Sequence, residues 1–448
     1  MSQTVDVSRI PDLADTVALA LAEARTAGAT QAEADVSLQQ GLSVTVRLGE
    51  VETVEYQRDR GLGITVYFDG AKGSASSADL RPAAVRDMVA KACSIARHTA
   101  RDEYAGLADA ADMARDVPDL DLYHPWDISP EQAIELAREC EAAGRAVDRR
   151  LANSEGASVG THRGVRVYGN SHGFLGGYPS TSHSISCALV AQEGADMQRD
   201  YWYTASRSPD ALEPPAQIGR RAAKRALARL GARQISTRKA PVLFAAELAR
   251  GFFGHLVGAV RGTSQYRKAS FLLDAMGEQV LPAFVQMHER PHLLRALASS
   301  PFDAEGVATR DRDLVRDGVL TGYVLSSYSA RKLGMRTTGN AGGIHNLLLD
   351  SSEGLLDTPA LLRLMGTGLY VTELMGQGVN GVTGDYSRGA SGFWVENGAI
   401  AYPVHEVTIA GNLRQMYRGV RALGSDVDRL GAIQTGPVLI GEMTIAGG

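Results

Sequence analysis

Three stretches of this sequence carry residues whose types and spacing could do chemistry. Residues 288–292 read His-Glu-Arg-Pro-His. Letter for letter this is HExxH, in which two imidazoles one helical turn apart bind zinc and the glutamate acts as general base. Both histidines must then share one face of a continuous helix. Pro291 opposes this, because a proline inside a helix lacks the amide hydrogen and clashes with the carbonyl four residues back. The sequence predicts a loop-to-helix junction instead, with Pro291 in the first turn of a helix over His292–Ala298 and His288 outside it. Gly376-Gln-Gly-Val-Asn-Gly381 matches GxGxxG, but the dinucleotide fingerprint needs a helix to start there, and Val382 to Ser387 is not a helical sequence. Ser329-Ala-Arg-Lys332 matches SxxK, without the SDN and KTG motifs that accompany a serine acyl-enzyme.

Single polar residues add further candidates. His255 sits in Gly251-Phe-Phe-Gly-His-Leu-Val-Gly-Ala259, an apolar stretch compatible with a helix. A lone histidine there is ordinarily a hydrogen-bonded core or interface residue. His345 lies in the glycine-flanked loop Gly342-Gly-Ile-His-Asn346 and could face a cavity. Asp385, Tyr386 and Arg388 follow the glycine turn, where an Asp–Arg contact within the fold competes with a substrate contact.

These residues need elements to hold them. Residues 12–28 have apolar positions at helical spacing. Val36–Leu38, Leu42–Leu48, Val51–Tyr56, Leu62–Phe68 and Ala71–Ser77 read as strands, with turns at Leu48-Gly49-Glu50, Arg60-Gly61 and Asp69-Gly70. A helix follows over Pro82–His98. Residues 99–128 read as a linker. Ser129, Pro130 and Gln132 then form the N-cap, first position and capping box of a helix reaching about Val147. Residues 152–206 return to strands, and Pro214-Pro215 opens a helix ending near Leu230-Gly231. Asp317-Gly318 marks a hairpin, and a short helix over Tyr328–Leu333 stops at Gly334. Gly366 to Asn412 reads as strand, glycine-rich turn, strand, Asn397-Gly398 hairpin and strand. A type I′ turn needs φ > 0 at both central residues, which favours Asn-Gly. The fold class is α+β: a helix-flanked antiparallel sheet over residues 1–110, a linker and mixed middle segment over 111–236, and a strand-rich C-terminal domain over 237–448.

Composition narrows the function. The net charge is −5 and 22% of residues are charged. The basic residues are dispersed, so no nucleic-acid footprint is expected. Glycine accounts for 49 of 448 residues, above the usual ~7%, which suits many turns and close backbone approaches. Cys93, Cys140 and Cys187 form neither a disulfide framework nor a metal knuckle. The N-terminal residues lack the basic start and apolar core of a signal peptide, and no window reaches the ~18 uninterrupted apolar residues of a membrane span, Pro241–Val260 being broken by Glu247, Arg250 and His255. A soluble, cytoplasmic protein with reduced thiols is expected.

Several blocks together resemble the TldD/PmbA family, and within it the PmbA (TldE) branch. They are Glu247 with Gly254-His-Leu-Val-Gly258, Tyr266-Arg-Lys268, Pro301 to Gly306, Ser326 to Gly334, Ala341 to Asn346 and, most of all, Gly366 to Asn412. The resemblance implies a cytoplasmic zinc metalloprotease of two subunits. The TldD-type subunit carries HExxxH and a cysteine ligand near its C-terminus. Unfolded or extended peptides enter an enclosed chamber, with maturation of a peptide antibiotic and degradation of an antitoxin as the attributed work. Aligned on that motif, Gly254 and Ala259 stand in place of the histidines, His255 in place of the glutamate, and Thr435 in place of the cysteine. Glycine and alanine offer no ligand atom and threonine is a poor one. The resemblance therefore implies no metal in this chain, zinc in a TldD-like partner, and a subunit that shapes the substrate chamber. Wall candidates are His255, Tyr266, Arg267, His345, Asp385 and Arg388. Two alternatives stand beside this: a stand-alone, homodimeric binding or regulatory protein, or a chain that binds zinc through His288 and His292.

Overall fold

The computed structural model describes residues 5–447; the reading of residues 1–4 as no signal peptide lies outside them. Helix α1 (Ile10–Thr26) leads into strands β1 (Gln31–Arg47), β2 (Glu50–Phe68) and β3 (Ala71–Ser77), then α2 (Pro82–His98). An irregular stretch is followed by α3 (Pro130–Arg145), β4 (Asn153–Asn170), β5 (Leu175–Glu193), β6 (Asp196–Ser206) and α4 (Pro215–Ala228). The capping box of α3 forms as its sequence predicts: Ser129 Oγ accepts from the Gln132 amide and the Gln132 side chain returns to Ser129 N.

These strands make one antiparallel sheet in the order β3-β2-β1-β4-β5-β6. The pairing of β1 with β4 runs from Glu33–Asn170 to Val46–Ala157, so the segments on either side of residue 110 share this sheet. Alternation along β1 puts Ala32, Ala34, Val36 and Leu38 on one face, where α1 and α2 bury them. Leu42, Val44 and Val46 continue the same face beneath α3 and α4.

Two expectations change here. The strands predicted as Val36–Leu38 and Leu42–Leu48 are one strand, and so are Val51–Tyr56 and Leu62–Phe68. Arg60-Gly61 is not a turn: Gly61 pairs with Ser37 inside the β1–β2 ladder. A glycine marks a turn only when the chain needs its left-handed conformation, and Gly61 is not among the positive-φ residues. Gly49 (φ 82°) and Gly70 (φ 87°) are, and both close turns.

The C-terminal part comprises β7 (Arg238–Phe244), α5 (Ala246–Ala259), α6 (Gly262–Tyr266), β8 (Val285–Glu289), β9 (Arg312–Arg316), β10 (Val319–Leu320), α7 (Ser327–Lys332), β11 (Leu347–Ser351), α8 (Thr358–Met365), β12 (Gly368–Met375), β13 (Asp385–Glu396), β14 (Ala399–Asn412), α9 (Leu413–Arg418), β15 (Val420–Leu423), β16 (Ile433–Gln434) and β17 (Val438–Ala446). They form a six-stranded sheet, β14-β13-β12-β7-β17-β15, and a five-stranded one, β10-β9-β8-β11-β16. A single large core joins them, with Phe244, Phe252, Phe253 and Tyr417 fully or almost fully buried. Asn397 (φ 51°) and Gly398 (φ 76°) make the hairpin between β13 and β14 as predicted.

The helix predicted over His292–Ala298 does not form. Arg295 takes a left-handed φ of 60° in the middle of it. The Arg295 amide donates to Leu120 O at 3.0 Å and its side chain pairs with Asp121. Contact with the linker overrides local helix preference. Among the described residues no helix is long and apolar enough to cross a membrane.

Candidate functional site

Helix α5 follows β7 directly and buries Phe252, Phe253, Leu256 and Val257 against the core. Its other face carries Gly251, Gly254, His255 and Gly258. Glycine weakens a helix by roughly 0.5–1 kcal/mol relative to alanine. No neighbour demands it here: a Cβ on Gly251 or Gly258 would meet nothing within 4 Å, and one on Gly254 only Ile433 Cδ1 at 3.9 Å. What the missing side chains leave is space. A groove of about 260 Å³ runs over Gly254, His255 and Gly258.

The roof of the groove is the glycine-rich turn between β12 and β13, through Gln377, Val379 and Gly381. No helix starts in that turn, as its sequence predicts. Phe271 closes one side, and its amide donates to Gly381 O at 2.9 Å. Ser264 lines the groove too, with its hydroxyl spent on Gly258 O at 2.8 Å. Sequence reasoning marked the glycine run that contains Gln377 but not Ser264 or Phe271, which no local pattern marks.

His255 is half-buried and sits edge-on to Tyr386, ring centroids 6.2 Å apart. Burial lowers the His255 pKa, and the nearby Arg388 guanidinium lowers it further. Burial pushes the Tyr386 hydroxyl up to about 12. The groove thus presents a neutral imidazole at pH 7. The folded state holds the His255 proton less tightly than the unfolded chain, so this group costs stability as pH falls below the ordinary histidine pKa. Arg388→Gln removes the second cause and leaves the first. The His255 ring resonances in a proton NMR titration are expected to shift their midpoint upward while staying below the usual value; an unchanged midpoint would remove Arg388 from the electrostatics of the groove.

The other candidates do not line the groove. The Asp385–Arg388 contact does not form. Three residues apart on β13, the two side chains point to opposite faces. Asp385 accepts from Thr383 Oγ1 at 2.6 Å, and Arg388 Nε donates to Met375 O at 3.1 Å. Tyr266 packs edge-on to Tyr328 at 6.0 Å, and Arg267 lies over the Tyr266 ring. His345 is held beside Glu289, to which its backbone amide donates at 2.7 Å; burial lowers its pKa against the pull of that carboxylate.

The HExxH letters do not converge either. His288 lies in β8, and Asp313 Oδ1 accepts from its Nδ1 over 2.6 Å. Glu289 points to the opposite, buried face of that strand. His292 reaches Thr309 Oγ1 at 2.9 Å.

The groove residues do not fit a zinc ion. They offer one imidazole, a spent serine hydroxyl and a glutamine amide. Thr435 is fully buried and its hydroxyl donates to Gly436 O at 3.0 Å. Among the described residues no group of three or more His, Cys, Asp or Glu side chains converges.

The chain is similar to known proteins across its length. Three consecutive segments match the PmbA/TldA metallopeptidase domains: domain 1 over residues 32–96, the central domain over 123–230 and the C-terminal domain over 237–447. Metalloprotease PmbA of Escherichia coli O157:H7 is 53% identical over 447 residues, covering 100% of this chain and 98% of the relative. A PmbA homologue of Haemophilus influenzae is 50% identical, covering 97% and 96%. A solved structure from Bacteroides thetaiotaomicron, a candidate modulator of DNA gyrase, superposes with a TM-score of 0.91 at 26% identity over 97% of this chain and 98% of that one. TldE from Thermococcus kodakarensis shares the fold, with a TM-score of 0.83 at 20% identity over 96% and 100%. Three matched domains and 53% identity across the chain lead to one conclusion: the chain belongs to the PmbA/TldA metallopeptidase family.

Proposed function

We infer that this chain is the non-catalytic subunit of a two-component zinc metalloprotease of the cytoplasm. A TldD-like sister chain carries the zinc, and this chain supplies part of the wall of the substrate chamber. The observation that carries this reading is the α5 groove, which holds one imidazole and no acidic or thiolate side chain. A catalytic zinc ordinarily takes three protein ligands. Unfolded peptides held extended, among them peptide-antibiotic precursors and antitoxins, are the substrate class this reading assigns to the pair. Main-chain hydrogen bonding to strands suits such weakly sequence-specific binding.

The test is co-expression with the TldD-like chain of the same genome, followed by peptidase assays of each chain alone and of the pair. Activity confined to the sister or to the pair is expected, with no stoichiometric zinc in this chain by elemental analysis. Peptide cleavage by this chain alone, or zinc lost on His292→Ala, would overturn the reading.

A further inference from the structure

A second cleft lies between the central and C-terminal segments and has no lining residue in common with the α5 groove. Its volume is about 510 Å³, inside the ~300–1,000 Å³ of small-molecule sites, which favour domain boundaries. Strand β6 and helix α4 supply one wall; the start of α5, β12 and the loop over residues 426–430 supply the other. Two hydrogen bonds tie the walls together. Arg225 Nη1 donates to Glu247 Oε1 at 2.7 Å, and Arg250 Nη2 donates to the Tyr203 hydroxyl at 3.0 Å. Tyr201 and Trp202 from β6 and Tyr370 from β12 line the space with flat rings, and Tyr201 is 43% exposed. Such rings are available for stacking.

Most charges of the cleft are already spent. Glu247 holds Arg225, Asp428 pairs with Arg250 at 3.1 Å, and Asp426 accepts from the Thr358 amide at 3.1 Å and its hydroxyl at 2.6 Å. Three charges are not. Among the described residues, the side chains of Arg221, Arg429 and Glu213 line the cleft without an ion pair or a hydrogen bond. An exposed arginine ordinarily loses rotamer freedom when it binds something. Arg221 has given up that freedom in advance: its Cζ lies 3.5 Å from the centre of the Trp202 ring. Stacking on an aromatic face leaves the N–H donors of a guanidinium free at its edge. A donor fork fixed before its ligand arrives binds carboxylate or phosphate oxygens at little further entropic cost.

We propose that this cleft binds a small organic anion built on a planar ring. The ring packs against Tyr201 and Tyr370, the carboxylate or phosphate binds Arg221 and Arg429, and a donor on the ligand reaches Glu213. The proposal stands whether or not a sister subunit exists.

Isothermal titration calorimetry of the purified full chain tests it with two probes, indoleacetate for a ring carboxylate and AMP for a ring phosphate. At least one is expected to bind with a Kd below about 1 mM, and the tighter of the two identifies the anionic group. Indoleacetamide keeps the ring without the charge, and acetate and inorganic phosphate keep the charge without the ring. Each is expected to bind at least about tenfold more weakly than the tighter probe. Arg221→Ala and Arg429→Ala are each expected to weaken that probe by about tenfold or more, the scale of one charge-assisted hydrogen bond. Arg221→Lys is expected to recover only part of the loss, because an ammonium lacks the planar fork. Lys224→Ala is the control: Lys224 is exposed on the same helix and does not line the cleft, so unchanged binding is expected. Matched thermal unfolding verifies that each variant folds. Failure of both probes to bind, equal binding of the neutral amide, binding that survives Arg221→Ala, or an equal loss in Lys224→Ala overturns the proposal.

Discussion

Glu289→Ala is expected to destabilise the C-terminal part by about 3–5 kcal/mol, the usual cost of removing one partner of a buried ion pair. Glu289 is 2% exposed. One carboxylate oxygen accepts from Arg312 Nε at 2.6 Å; the other accepts from Asn340 Nδ2 and from the His345 amide, both at 2.7 Å. Arg312 is itself mostly buried and donates onward to Tyr323 O at 2.7 Å. One side chain thus ties β8 and β9 to the Gly339–Asn346 loop. Alanine leaves a buried cation without its counter-ion and two N–H donors without acceptors. Glu289→Gln keeps the volume and part of the bonding, so a smaller loss of about 1–3 kcal/mol is expected. Urea unfolding followed by tryptophan fluorescence gives the comparison, since Trp394 lies in the same core. A loss below about 1 kcal/mol for the alanine variant would show that the network does not hold these elements together. A zinc-protease glutamate would behave in the opposite way, losing activity with the fold intact.

Glu289 also shows where the sequence could mislead. Its five-letter motif is a coincidence of letters across a strand and a turn, and Pro291 was the residue that exposed it. The same proline argument predicted a helix after it, and that part failed because a linker residue 175 positions away in the chain, Leu120, captures the Arg295 amide. Local signals that specify backbone geometry were legible. Pro82 and the Ser129–Gln132 box start helices where they should, and Asn397-Gly398 and Asp317-Gly318 turn where they should because their left-handed φ values leave few other residue choices. The assembly of elements was not legible. Nothing in residues 31–47 says that they will pair with 153–170 across a linker and a helix. The groove divides along the same line: Gly254 and His255 stand out in the sequence as glycine and histidine in an apolar helix, whereas Phe271 and Ser264 become groove residues only once the turn after β12 folds over them.

Gly219→Ala reverses the sign that the sequence alone would give. A glycine inside a helix is ordinarily improved by alanine, by about 0.4–1 kcal/mol, because the unfolded chain loses freedom. Gly219 lies in α4 where it crosses α3. A Cβ there would stand 1.8 Å from Cys140 O, and one on the facing Gly144 would stand 2.6 Å from Leu189 Cδ1 and 2.7 Å from Gly219 O. Backbone atoms cannot swing aside as a side-chain tip can. The helices must separate, and they hold Cys140, Ala222 and Ala223 against Cys187 and Leu189 of the sheet. Overpacking of this kind costs about 1–3 kcal/mol and sometimes more; with backbone as the obstacle, the upper end is expected for alanine and a larger loss for valine. Gly251→Ala is the matched control. Gly251 is also inside a helix, but a Cβ there meets nothing within 4 Å and it does not line the α5 groove, so a gain of about 0.5–1 kcal/mol is expected. Differential scanning calorimetry of the two variants should therefore move the melting temperature in opposite directions. Movement in the same direction would mean that the close crossing of α3 and α4 is not what determines the residue at 219.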